Sequence, residues 1–98
     1  MYDILHLKRG DTLLGVLHVT DVDMPWFNCR FEPTSAFEGV QPLFERELKL
    51  LEADDWPGWE EAYQHIEELG LQLVDANMDD DVGEFLLHVQ GERAWFRY

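Results

Sequence analysis

The chain has a single cysteine, only seven lysines and arginines, and no uninterrupted apolar stretch of any length. Each scarcity excludes something. One thiol, Cys29, cannot close an intramolecular disulfide, and no basic segment, apolar run and small-residue cleavage site follow one another at the amino terminus, so a cytoplasmic location is expected. The apolar runs are broken every few residues and fall short of the ~20 residues that a membrane-crossing helix needs, so a soluble protein without membrane contact is expected. Against the 7 bases stand 21 acids, a formal charge of −14. Nucleic-acid phosphates and anionic lipid surfaces repel such a molecule, and direct nucleic-acid binding is not expected. The sequence also lacks a phosphate-cradling glycine loop, a nucleophile elbow and zinc-finger spacing. No catalytic residue, cofactor or metal is assigned.

What the chain does have is apolar and aromatic material: 46% hydrophobic and 13% aromatic residues in a length of 98. That is enough to bury a core, so residues 1–98 are expected to form one folded domain rather than an acidic disordered tail.

The periodicity divides the chain into three parts. "YDILHLKR" and "TLLGVLHVTD" are rich in strand formers on either side of Gly10-Asp11 and read as a hairpin, and "FNCRFEP" alternates cleanly until Pro33 stops it. After Pro33 the period changes. Ser35 and Glu38 stand at the spacing of a capping box, and Phe37, Val40, Phe44, Leu48 and Leu51 recur at three- and four-residue intervals. Pro42 places the start of the main helix near itself, because a proline is tolerated in the first turn and not in the middle. "DDWPGWEEAYQHIEELG" repeats the logic, with Trp56, Trp59, Tyr63, Ile66 and Leu69 as its buried stripe and Gly70 as its stop. "LQLVDA", then "EFLLHVQ" and "RAWFRY" joined by Gly91-Glu92, restore the strand pattern around an acidic loop, "NMDDDVG". The order βββααβββ predicts an α+β fold, an antiparallel sheet of about five to six strands with a helical hairpin on one face.

Strand residues alternate between faces. The more uniformly apolar set, expected under the helices, is Leu5, Leu7, Leu13, Leu17, Val19, Phe27, Cys29, Phe31, Phe85, Leu87, Val89, Ala94, Phe96 and Tyr98. The outer set contains Ile4, His6, Lys8, Leu14, Val16, His18, Thr20, Asn28, Arg30, Glu32, Leu86, His88, Gln90, Arg93, Trp95 and Arg97. It holds three of the four histidines and most of the positive charge, together with more apolar residues than a face meeting only water requires. The helical segment is the opposite: residues 34–70 carry ten acids against Arg46 and Lys49. Its glutamates, among them Glu45, Glu47, Glu60, Glu61, Glu67 and Glu68, are expected to face water.

The stretch from "CRFEPTSAFEGVQPLFERELKLLEADDW" through "YQHIEELGLQLVD", with the closing "EFLLHVQGERAWFRY", resembles a family of small acidic bacterial proteins of the kind seen in actinobacteria. The resemblance implies a bacterial cytoplasmic protein with a compact domain, and carries over no activity, ligand, partner or functional residue.

Association is therefore the expected function, with a protein partner or as a homo-oligomer, through an outer face whose candidate binding residues are His6, His18, Arg30, His88, Trp95 and Arg97. Two alternatives belong to other classes. His6, His18 and His88 on three strands could line a small-ligand or metal site of an enzyme, although no His-x-His pair anchors one. The acidity alternatively suits an inhibitor or immunity-type protein that imitates nucleic acid and blocks a basic site.

Overall fold

The computed structural model describes residues 2–98. Strands β1 (Ile4–Arg9), β2 (Thr12–Asp23) and β3 (Trp26–Pro33) come first. A 3₁₀ turn (Ser35–Gly39), α1 (Gln41–Glu52) and α2 (Trp56–Glu67) follow, and β4 (Leu71–Asp75), β5 (Leu86–Gln90) and β6 (Arg93–Arg97) complete the chain. The six strands form one antiparallel sheet in the order β4-β1-β2-β3-β6-β5. This is the expected α+β architecture.

The helices begin where the prolines allow. Pro42 lies in the first turn of α1 and Pro57 in the first turn of α2, where the Asp55 side chain caps the helix by accepting from Gly58 N–H at 3.1 Å. Ser35 does not cap. The residue before the 3₁₀ turn is Thr34, whose hydroxyl donates to the carbonyls of Leu13 and Leu14 in β2 instead, tying the start of the helical layer to the sheet.

The inner face of the sheet carries Leu5, Leu7, Leu17, Phe27, Cys29, Phe31, Leu73, Leu87, Val89, Ala94 and Phe96. They share one buried cluster with Phe37, Val40, Phe44, Tyr63 and Ile66 of the helical layer. Each large side chain in such a cluster contributes about 1.5–3 kcal/mol by leaving water. Trp56, expected in the buried stripe, is 53% exposed, and Trp59 is half-buried. Tyr98 lies against Phe27 and Phe96 at the sheet's end with most of its ring in solvent.

Two bulges shift the alternation. Leu7 pairs with Gly15 and Lys8 with Leu13, so Leu14 is an extra residue; it enters the core at 2% exposure, while Leu13 turns outward opposite Lys8. The inward Leu13 and outward Leu14 read from strict alternation are thus exchanged. Near the other end of β2, Val19 pairs with Cys29 and Asp21 with Asn28, which leaves Thr20 unpaired and brings Asp21 and Asp23 onto the outer face.

Each margin of the sheet bonds to another part of the chain. Beside β5, the Tyr63 hydroxyl accepts Leu87 N–H at 2.8 Å; beside β4, residues 80–82 supply bonds from Val82 N–H to Leu73 O and from Asp75 N–H to Asp80 O.

Candidate interaction face

Cross-strand partners share a face, so the register places the outer side chains. His18 lies opposite Arg30, Arg30 opposite Arg93, Asn28 opposite Trp95, and Trp95 opposite His88. Arg97 lies opposite Leu86, and its guanidinium sits over the Trp26 ring at 5.8 Å. His6 faces Val16. All six candidate residues therefore belong to one side of the sheet, the side away from the aliphatic cluster. With Lys8, that side holds four of the chain's seven bases against the carboxylates of Asp21, Asp23 and Glu32.

At its β3-β6-β5 end the face is a row of rings tilted against one another and ended by guanidinium groups. From Arg97 the row passes to Trp26, to His88 at 5.7 Å between ring centroids, to Trp95 at a further 5.5 Å, and to the guanidinium of Arg93 at 5.8 Å. Cations over indole faces are attracted by the ring quadrupole, which fixes the arginine heads beside the tryptophans. Arg30 and His18 share the Glu32 carboxylate, with Arg30 Nη1 at 3.5 Å from Oε1. Neither Arg93 nor Arg97 has a carboxylate partner among the described residues.

His88 departs from the expected open histidine, being only 3% exposed. Its Nδ1 lies 2.8 Å from Oε2 and 3.0 Å from Oε1 of Glu47, which is itself 0% exposed. Trp59 Nε1–H donates to the same carboxylate at 2.8 Å. Glu47 on α1 and Trp59 on α2 thus reach the imidazole of the edge strand. The expectation that Glu47 faces water is overturned: a buried carboxylate is tolerable only where donors satisfy it, and here an imidazole and an indole do so. With Glu47 ionised, Nδ1 carries the donated proton. Nε2 makes no hydrogen bond among the described residues, and since none of their sealed side-chain nitrogens or oxygens lacks a partner, it keeps a narrow opening to the outside.

The strand order separates the three histidines. His6 and His18 stand on neighbouring strands, but β3 and β6 lie between His18 and His88, roughly three spacings or ~14 Å. No group of three metal-ligating side chains occurs among the described residues. Cys29 is buried, and desolvation pushes its thiol up to about 12. The fourth histidine, His65, is exposed on α2.

Asp21, Asp23, Trp26 and Glu47 are members of this region that the sequence analysis did not place on the face. A signal for Glu47 was present: it stands three residues after Phe44 and four before Leu51, on the helix's apolar stripe. None of the described helices is long and apolar enough to cross a membrane. Neither the protein-family models nor the curated proteins nor the solved structures include one that matches this chain.

Proposed function

We propose that the chain is a small non-catalytic protein that works by association, with the outer sheet face as its contact surface. Its partner is a protein surface that brings carboxylates to the arginines and apolar groups to the tryptophans. The row Arg97–Trp26–His88–Trp95–Arg93 carries this reading. Tryptophan and arginine are the residues in which interface energy concentrates, and a row already held in place by ring and cation–ring contacts and by the buried Glu47–His88 pair loses little freedom on contact. The two end arginines have no acid to neutralise them within the chain's described residues. A cytoplasmic setting suits the lone thiol, and the formal charge of −14 turns the molecule away from nucleic acid.

The test replaces Trp95 and Arg97 together by alanine and compares the proteins retained by the variant and by the unaltered chain from the native host, with circular dichroism verifying the fold. A partner held by the unaltered chain and lost by the variant supports the surface. Identical sets retained by both reject it.

A second reading is favoured by one observation. An imidazole anchored by a carboxylate at Nδ1, with Nε2 unpartnered behind a narrow opening, is arranged as a hydrogen-bond acceptor or general base, so a small-ligand or enzymatic site would centre on His88 and not on three histidines. The ring-nitrogen NMR signal of His88 reports it: an Nε2 resonance unmoved across a panel of small hydroxyl and amide donors rejects this reading.

A further inference from the structure

The charges of the outer face fall into rows. Asp23, Trp26 and Arg97 lie side by side on β2, β3 and β6. The next row is Asp21, Asn28, Trp95 and His88, and the one after it His18, Arg30, Arg93 and Gln90. In each row the acid or imidazole stands on β2, the arginine or indole on β6, and β3 runs between them.

A two-fold axis along β3, in the plane between two stacked sheets, exchanges those columns. It lays β6 of each copy over β2 of the other at the same row, and every contact is made twice. An axis across the strands would stack β6 on β6 instead, driving Arg93 and Arg97 of one copy against Arg97 and Arg93 of the other.

We propose that the partner is a second copy of this chain, related by a two-fold axis along β3, so that Arg97 of each copy meets Asp23 of the other. The inference rests on the outer face being the association surface, and identifies its occupant. Arg97 and Asp23 are both exposed, and neither has an ion-pair partner among the described residues of its own chain. In the same arrangement the Trp26 side chains meet near the axis and Arg93 faces His18. Arg30, also on the axis column, has Glu32 beside it in its own strand, so the column does not oppose bare cations. Sheets stacked face to face sit about 10 Å apart with strands within about 30° of one another, a spacing that side chains of this size fill. Two copies of formal charge −14 repel at long range. That repulsion is screened beyond about 8 Å at physiological ionic strength, so the dimer should form better there than at low salt.

The experiment measures the mass of the full chain in solution across the micromolar range at physiological salt. Twice the chain mass is expected. Arg97→Asp and Asp23→Arg should each weaken the dimer roughly 100-fold, because each reversal places two like-charged pairs in contact. The two reversals combined should restore it. Circular dichroism confirms folding, and Asp23→Arg, at an exposed position, decides alone if Arg97→Asp fails to fold. A monomer at every concentration overturns the second-copy inference and leaves the surface to the capture comparison. A dimer weakened by Trp95→Ala but indifferent to both reversals overturns the two-fold pairing and keeps the surface. A dimer indifferent to all of these substitutions overturns both.

Discussion

Glu47 and His88, 41 residues apart in the chain, meet at 2.8 Å with the carboxylate wholly removed from water and the imidazole nearly so. One comes from the middle of a helix and the other from an edge strand, and the contact holds the helical hairpin against the sheet's β5 margin.

Removing one member leaves the other buried without its partner. Glu47→Leu and His88→Phe should each destabilise the fold by about 3–5 kcal/mol, whereas the two together should recover most of the loss, since apolar groups can fill a space that a lone charge cannot. Urea denaturation of the four proteins measures this. Additive losses would show that the two side chains act independently.

Tyr63 is buried, and that desolvation lifts its phenol from the ordinary 10.0 up to about 12. The folded state therefore keeps the proton where the unfolded chain gives it up. Stability from this group is complete below pH 10 and lost as pH rises toward 12. Urea midpoints should fall steeply over that interval, and Tyr63→Phe should fall less. The same substitution removes the acceptor for Leu87 N–H, at a cost near neutral pH of about 1–3 kcal/mol. A midpoint in Tyr63→Phe equal to that of the unaltered chain at pH 8 would count against this role.

Cys29 is buried between Phe27 and Phe31 along β3, and desolvation raises its thiol from 9.0 up to about 12. A thiol-specific reagent at pH 8 should modify the folded chain only as fast as it opens, and should react at once in denaturant. Rapid stoichiometric modification of the folded protein would contradict this burial.

Gly15 is required by a neighbour rather than by a special dihedral. A methyl group there would stand 2.5 Å from the Phe31 ring and 3.0 Å from the Glu32 carbonyl oxygen. Phe31 is 1% exposed and packed in the core cluster against Phe37, so Gly15→Ala should cost about 1–3 kcal/mol through overpacking. A thermal midpoint unchanged by the substitution would mean that the ring can move.

The local elements were legible because their signals are local. The proline-started helices, the alternation of β3 and the Gly91 turn, where φ is +61°, all follow from residues a few positions apart. The side-chain facing of β2 was only partly legible, because bulges at Leu14 and Thr20 depend on how two strands register and not on either strand's composition. That is why Asp21 and Asp23 were not seen on the outer face. The gap between His18 and His88 was likewise hidden: β6 returns to pair with β3 across more than sixty residues, a choice no local pattern encodes. Glu47 lay on the apolar stripe, but its charge argued for water, and only its imidazole and indole donors reverse that argument.

The bonds made at the two margins of the sheet bear on how copies of the molecule can meet. The Tyr63 hydroxyl holds one amide of the β5 border and residues 80–82 hold two bonds of the β4 border, so a further strand adding at either edge would have to displace them. That displacement has a cost at each edge which the broad outer face does not carry, and a two-fold contact through that face closes on itself.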